Sequence, residues 1–192
     1  MNFDEAYAFT DTIAGHFSRT NAAKLWEHAS VCHGLMVEIG VLDGRSASLL
    51  LQAAATTGST VYLVDCWKWM KNHAIYTMQV VDQFPEVKKA ILYMYSHDAV
   101  HYTPTPIQLL HIDGNHEDAG IAMDCQLWLP HLAPWGVALF HDYGSPDFPG
   151  IKRAVDHFTE GWEDLGVWET LAIRRKPYEI GSTRHRIPYA VP

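Results

Sequence analysis

Short apolar runs alternate with helix-forming segments along most of the chain. Buried strands are predicted where these runs are β-branched or continuously apolar, over Leu35–Val41, Thr60–Val64, Ile107–Ile112 and Gly136–Phe140. Helices are predicted between and after them, over Ser46–Ala55, Tyr76–Leu92 with a break or restart at Pro85, Asp118–Leu132 and Gly150–Thr159. A last strand is predicted over Val167–Arg174, as half of an antiparallel pair at the sheet edge. This alternation is typical of a mostly parallel α/β sheet with helices on both faces.

Length and charge narrow the class of protein. The 192 residues suit one domain over 1–192, with a core over about residues 30–176 and an N-terminal helix and a tail, 177–192, that cover a site. A net charge of −8 disfavours a nucleic-acid partner, and the basic run 174–176 is interpreted as a solvated edge. Three cysteines without CxxC spacing indicate core thiols in a reducing compartment. The acidic N-terminus and the lack of a long apolar run favour a cytoplasmic protein without a membrane partner.

Polar residues follow three of the predicted strands. Asp65 ends the second strand, Asp113 follows the third, and His141 and Asp142 follow the fourth. In an open parallel sheet, ligands bind at the carboxyl ends of the strands. We therefore expect these four side chains to face one crevice.

The first predicted strand ends in a glycine turn, VEIGVLDGRS. A P-loop would end in Gly-Lys-Ser/Thr, and a dinucleotide fingerprint would read GxGxxG, whereas Gly40 and Gly44 are spaced as GxxxG. The carboxylate of Glu38 would repel a pyrophosphate and favours a cation. The motif therefore favours S-adenosylmethionine, whose amino-acid head carries an ammonium and a sulfonium. Asp65 is suited to accept both ribose hydroxyls.

The ordered set VEIGVLDGRS, YLVDCW, LLHIDGNH and LPHLAPWGVALFHDY resembles the class I S-adenosylmethionine-dependent methyltransferases. The resemblance covers residues 35–160 and is greatest to the small metal-dependent O-methyltransferases of sugars and natural products, including the macrolide-sugar type. It implies a Rossmann-like, doubly wound, mostly parallel seven-stranded sheet with helices on both faces and an antiparallel edge strand. It also implies methyl transfer to a hydroxyl of a small molecule, a sugar or glycan-related acceptor.

The resemblance assigns roles to residues of the cofactor site. The methionine end is held by Glu38, Gly40 and Gly44, and the ribose by Asp65, while Trp67 walls the site or packs in the core. Ser96, His97 and Asp98 lie where the family contacts adenine. The cofactor set is completed by Val41, Ser46 and Asp113.

The resemblance also implies a chemical centre. Asp113, His141 and Asp142 occupy the positions of metal ligands, with Asp113 counted as catalytic too. Mg²⁺ suits the two acids better than the imidazole, so Mg²⁺, Mn²⁺ or no metal remain open. His116 is the counterpart of the general base. We expect surface or capping roles for His111, His131 and His157, and a solvated helix face for Asp124.

Three classes of function remain open at this stage. The first is an O-methyltransferase, and the second is a cofactor-binding protein without catalysis, which the imidazole at His141 supports. The third is a nicotinamide-dependent oxidoreductase, which the missing GxGxxG disfavours. The acceptor is not identified by the sequence, and a homo-oligomer that completes the site is left open.

Overall fold

A computed structural model describes residues 1–68 and 71–178. The seven strands are β1 (Leu35–Ile39), β2 (Thr60–Asp65), β3 (Lys88–Tyr93), β4 (Ile107–Ile112), β5 (Leu132–Phe140), β6 (Glu163–Trp168) and β7 (Leu171–Arg175). The helices are α1 (Phe3–Thr10), α2 (Arg19–Ala29), α3 (Arg45–Thr57), α4 (Lys71–Val81), α5 (Ser96–Ala99), α6 (Asp118–Trp128) and α7 (Pro149–Phe158). Most of the predicted tail, 179–192, lies outside the described residues, as do residues 69–70 of the segment after β2.

The strands form one sheet in the order β3-β2-β1-β4-β5-β7-β6. The first five in this order are parallel, whereas β7 pairs antiparallel with β5 and β6 pairs antiparallel with β7. Helices cover both faces, and each face has its own apolar cluster. Leu25 and Leu50 belong to one cluster, and Ile121 and Val155 belong to the other. The predicted fold class, including the antiparallel edge, is confirmed.

Two predictions about the elements are wrong. Tyr76–Leu92 is not one helix, because α4 ends at Val81 and Lys88–Tyr93 forms a strand that pairs with β2. The run Ala-Ile-Leu-Tyr has strand propensity, and pairing with a buried neighbour outweighs the helical pattern before it. The single strand predicted over Val167–Arg174 is also wrong. This segment contains the end of β6, a turn in which Glu169 has a φ of 53°, and most of β7.

The basic run 174–176 is not a solvated edge. Arg174 is buried, and its guanidinium donates to Asp164 over 2.6 Å. Lys176 is buried as well, and its ammonium donates to the carbonyls of Leu129, Pro130 and Leu132 over 2.6–3.1 Å. These contacts tie the β7 end to the connection that enters β5, because a buried ammonium must be hydrogen-bonded. Among the described residues, no helix is long and apolar enough to cross a membrane.

Candidate functional site

A cavity of about 690 Å³ lies at the carboxyl ends of the parallel strands. Asp65, Asp113, His141 and Asp142 all line it, so the predicted convergence of the strand ends is confirmed. The loop between α1 and α2 forms another part of its wall through Gly15, His16 and Phe17. The cavity therefore joins the sheet end to the N-terminal segment, which has no motif of its own.

Gly40 is required by the contact between two loops. Its φ is 85°, and a Cβ at this position would lie 2.0 Å from the carbonyl oxygen of Asp113. The loop after β1 and the loop after β4 therefore touch through the backbone. Gly40 thus places the glycine turn after β1 directly beside Asp113, which follows the neighbouring strand β4.

The carboxylate of Asp65 organises the glycine turn. Its Oδ2 accepts the backbone N–H groups of Val41 (2.9 Å) and Leu42 (3.0 Å), and its Oδ1 accepts that of Trp67 (2.8 Å). A carboxylate offers about four acceptor positions. Three are used by the backbone, which leaves one on Oδ1 for an outside donor. The predicted acceptance of two ribose hydroxyls would require the turn to rearrange.

Helix α4 and Trp67 fix the turn from the outside. Leu42 has a φ of 49°, which is unusual for a non-glycine residue. Its carbonyl accepts the Trp67 indole N–H over 2.9 Å and the Thr77 hydroxyl over 2.5 Å. Asp43, beside it, lies 2.5 Å from Nδ1 of His73 on the same helix. Trp67 lines the cavity while being 3% exposed, so it both walls the site and packs in the core.

Glu38 lies beneath the cavity, outside its lining. It is fully buried, and its Oε1 lies 2.9 Å from Nδ1 of His111. Burial raises the pKa of Glu38, and the hydrogen bond from His111 opposes this rise. The expected surface role for His111 is wrong, because His111 is fully buried beside its strand partner Glu38.

The glycine turn ends at the N-terminus of α3. Gly44 precedes this helix at φ 89° and provides no side-chain cap, so the first backbone N–H groups lack an intrahelical partner. Val41 and Ser46 line the cavity here, whereas Gly44 does not. Arg45 also lines the cavity, and its guanidinium donates to the carbonyls of Ile13 and Phe17, which holds the α1–α2 loop in place.

The second half of the cavity holds two acids and two imidazoles. Nδ1 of His141 lies 3.2 Å from Oδ1 of Asp113 and 3.3 Å from Oδ2 of Asp142. Nε2 of His116 lies 3.4 Å from each of the same two oxygens. Asp113, His141 and Asp142 offer ligand atoms within 4.8 Å of one another. The predicted base and the predicted metal set therefore form one cluster.

Charge pairing holds this cluster together. Burial would raise the pKa of Asp113, but the neighbouring imidazoles of His116 and His141 hold it well below its usual range. The hydrogen bond with Asp113 raises the pKa of His116. Burial opposes the charge on His141, yet Asp113 and Asp142 outweigh it and raise the pKa of His141 to about 10. In this arrangement the His141 imidazolium supplies positive charge beside the two carboxylates.

Two further features shape the cluster. Asp142 has a φ of 56°, a conformation that directs its carboxylate back toward Asp113. Nδ1 of His141 is buried and makes no well-aligned hydrogen bond despite the short distances to both acids. Its ring contacts Phe17, whose centroid lies 5.3 Å away. The nitrogen is thus aimed at a space between the two acids.

The three residues assigned to adenine contact separate in the structure. Ser96 lines the cavity, whereas Asp98 is exposed and neither it nor His97 belongs to the lining of the cavity. His97 instead stacks on Tyr95 at 5.3 Å. The expectation of a solvated face for Asp124 is wrong: its side chain lines the cavity, is 2% exposed, and accepts the Ser96 hydroxyl over 2.5 Å.

Sequence reasoning missed several cavity residues. His16 and Phe17 belong to no motif, so no sequence signal indicates that they line the cavity. Asp124 had a usable signal, since a lone acid amid Ile121, Ala122 and Cys125 on a helix is difficult to place in solvent. Phe148, whose ring centroid lies 4.5 Å from that of His116, follows an irregular loop and had none.

Comparisons with known proteins identify the family of the chain. Residues 37–143 match the family described as "Methyltransferase domain". A curated relative, the uncharacterized protein y4gI of Sinorhizobium fredii, is 25% identical over 116 residues, or 56% of this chain. The chain spans only 13% of the length of that relative.

Solved structures share the fold. CalS11, a TDP-rhamnose 3'-O-methyltransferase of calicheamicin biosynthesis, has a TM-score of 0.65 at 15% identity over 79% of this chain and 75% of its own. An rRNA methylase of Streptococcus thermophilus has a TM-score of 0.63 at 16% identity over 85% and 99%. An O-methyltransferase of Bacillus cereus in complex with SAH has a TM-score of 0.62 at 16% identity over 91% and 90%. The first two are described as acting on different acceptors, TDP-rhamnose and rRNA, so the shared fold leaves the acceptor undetermined.

Proposed function

Because the chain belongs to the methyltransferase domain family, we propose that it transfers the methyl group of S-adenosylmethionine to a hydroxyl of a small molecule. The acceptor is a sugar or glycan-related compound, and a divalent metal ion assists. One observation carries the proposal: a single cavity holds both the glycine turn with Asp65 and the cluster of His116 with Asp113, His141 and Asp142.

The first half of the cavity binds the cofactor. The carboxylate of the cofactor's methionine end accepts the uncapped N–H groups at the start of α3, near Ser46, where the helix dipole favours negative charge. One ribose hydroxyl donates to the remaining acceptor position of Asp65. The sulfonium then lies toward Gly40 and Asp113, whose backbones touch. Glu38 acts from below, through its contact with His111.

The second half carries the chemistry. The acceptor oxygen attacks the methyl carbon, the carbon–sulfur bond breaks with its electron pair going to sulfur, and the hydroxyl proton passes to the free ring nitrogen of a neutral His116. Asp113 and Asp142, whose oxygens each lie 3.4 Å from Nε2 of the same ring, stabilise the imidazolium that forms. Alignment of donor and acceptor supplies the rest of the acceleration, since the step is a displacement in line.

The donor set fits a divalent cation. Asp113 and Asp142 provide hard oxygens, and the poorly bonded Nδ1 of His141 points between them. Mixed oxygen and nitrogen ligands suit Mn²⁺ better than Mg²⁺. A bound ion would lower the pKa of the acceptor hydroxyl and orient it. Without the ion, the His141 imidazolium offsets the charge of the acids, so a cation at this position would displace its proton.

The acceptor enters beside His116. A second cavity of about 420 Å³ lies between Asn115–Asp118 and Asp147–Pro149, with the Phe148 ring against His116. An aromatic face beside polar side chains suits a sugar ring. CalS11, which shares the fold, is described as acting on TDP-rhamnose, and this supports a sugar acceptor. The net charge of −8 disfavours nucleic acid as the acceptor.

Methyl transfer from labelled S-adenosylmethionine tests the proposal. The protein is incubated with sugars, glycosides and phenols, with chelator and then with added Mn²⁺ or Mg²⁺. We expect label on a hydroxyl compound, loss of turnover with chelator and recovery with the ion. His116→Ala should lower kcat about 100-fold or more, whereas His101→Ala, at an exposed site outside the cavity, should not.

The other outcomes identify the alternatives. S-adenosylhomocysteine binding without methylation of any acceptor under any metal would favour a binding protein without catalysis. Binding of NADH in place of S-adenosylhomocysteine would point to an oxidoreductase and contradict the proposal. Full turnover by His116→Ala would remove the base assignment but leave the cofactor assignment.

A further inference from the structure

His141 offers the one imidazole of the proposed metal set, and hydrogen bonds do not fix its ring. Both polar contacts of its side chain within residues 1–68 and 71–178 run through Nδ1, to Asp113 over 3.2 Å and to Asp142 over 3.3 Å. Neither contact is well aligned. A metal-bound imidazole is usually oriented by a hydrogen bond from its second nitrogen to a carboxylate or a carbonyl. For His141, packing must supply this orientation.

The ring of Phe17 provides the packing. Phe17 is buried, and its ring centroid lies 5.3 Å from that of His141 at an interplanar angle of 42°. The same ring contacts His111, with the two centroids 5.5 Å apart. His111 is held from its other side by Glu38, whose Oε1 lies 2.9 Å from Nδ1 of the imidazole. Phe17 therefore packs both on an imidazole that is already fixed and on the one that must be oriented.

Arg45 determines where the backbone of Phe17 lies. Its Nε donates to the carbonyl of Phe17 over 3.2 Å, and its Nη1 donates to the carbonyl of Ile13. The α1–α2 loop also packs on the stem of Arg45, because a Cβ on Gly15 would lie 3.4 Å from both Cβ and Cδ of the arginine. A planar guanidinium holds several acceptors in fixed directions, which an ammonium cannot do.

We propose that Arg45 and Phe17 are positioning residues of the metal site: Arg45 fixes the Phe17 backbone, and the Phe17 ring holds the His141 imidazole with Nδ1 toward the acids. This inference rests on the proposed function, because it takes Asp113, His141 and Asp142 as a divalent-cation site. Neither Arg45 nor Phe17 is a ligand. Their role differs from a general contribution to folding, since the effect of Arg45 must reach the imidazole through Phe17.

NMR of the metal-free protein tests this series of contacts. The ring C–H signals are recorded in protein labelled at histidine, and the signal of His141 is identified by its loss in His141→Gln. Phe17→Ala should shift this signal, because the neighbouring ring is removed. Arg45→Met should shift it as well. In a protein that already carries Phe17→Ala, Arg45→Met should add no further shift, because the two residues act in series.

Binding of Mn²⁺ alone, measured by electron paramagnetic resonance of the free ion at constant pH, tests the functional role. Phe17→Ala and Arg45→Met should each weaken Mn²⁺ binding about tenfold or more. The double variant should bind no more weakly than Phe17→Ala. Phe17→Leu keeps apolar bulk against the imidazole and should restore most of the affinity. If Arg45→Met does not fold, Arg45→Lys should show the same loss, because its ammonium cannot replace the fork of donors.

Two variants of the same N-terminal region serve as controls. The ring of Phe9 packs on Phe84, with centroids 5.8 Å apart, and Arg19 pairs with the exposed Asp4 over 2.6 Å. None of these four residues lines the cavity. Phe9→Ala and Arg19→Met should therefore keep the wild-type His141 signal and the wild-type affinity for Mn²⁺.

The outcomes separate this inference from the proposed function. A folded Arg45→Met that leaves the His141 signal and the Mn²⁺ affinity unchanged overturns the inference. Additive losses in the double variant, or equal losses in the two controls, overturn it as well, because they indicate general destabilisation. A wild type that does not bind Mn²⁺ contradicts the metal assistance in the proposed function and removes the metal-site role with it.

Discussion

The two halves of the cavity are built in different ways. The loops after β1 and β2 rely on backbone groups: Asp65 accepts three amide N–H groups, and Gly40 allows two loops to touch. The loops after β4 and β5 rely on side chains, with His116 and His141 bridging two acids. A backbone-built half is rigid and suits binding, whereas a half made of ionisable side chains can exchange protons and ions. The difference separates cofactor binding from chemistry.

The strongest way to break this division is to push the two halves apart. Gly40→Ala places a Cβ 2.0 Å from the Asp113 carbonyl at a φ of 85°, so the loops must separate. We expect the free energy of unfolding in urea to fall by about 4 kcal/mol or more. Gly58→Ala is the matched control, because Gly58 has a φ of 74° but no atom within 4 Å of the added carbon. It should lose only about 1 kcal/mol. Equal losses would show that backbone conformation alone, and no loop contact, makes Gly40 necessary.

A smaller effect concerns Asp124, the buried acid of α6 that lines the cavity. The pKa of Asp124 is raised from 3.8 to about 6, so its ionisation opposes folding once the pH exceeds the lower value. Stability contributed by the protonated form is complete below about pH 4 and is lost as the pH rises through about 6. The interval corresponds to roughly 3 kcal/mol. Asp124→Asn should therefore gain stability relative to the wild type between pH 4 and 7.

Chemical denaturation at several pH values measures this difference. Ser96 and His97 are the polar neighbours that lower the pKa of Asp124, and both are unchanged in the variant. If the free energies of unfolding of the wild type and Asp124→Asn change in parallel from pH 4 to 7, burial of the ionised Asp124 does not destabilise the folded protein.

The sequence is informative where a motif fixes backbone geometry. Gly40, Asp65 and Asp113 were found because a buried strand that ends in glycine or an acid has few alternative structures. The element around Lys88–Tyr93 was not, since its strand state depends on pairing with β2 rather than on its own pattern. The roles of Phe17, Asp124 and His111 depend on contacts between distant segments. A single sequence carries no spacing rule for such contacts.

Charge led to the same kind of error. Arg174 and Lys176 appear as a basic surface run, yet both are buried by partners that are 10 and more than 40 residues away. Composition describes the average environment of a charge, whereas its actual environment is set by the tertiary neighbours that satisfy it.

The central claim, that cofactor binding and chemistry occupy separate halves, is tested most directly by titration of S-adenosylhomocysteine into three proteins. We expect the wild type and His116→Ala to bind with the same affinity. Asp65→Asn should bind about tenfold more weakly, because the NH2 group of asparagine replaces a carboxylate oxygen that accepts from the turn or from the ribose. Asp82→Asn, an exposed acid after α4, should bind like the wild type. Loss of binding in His116→Ala, or unchanged binding in a folded Asp65→Asn, would contradict the division.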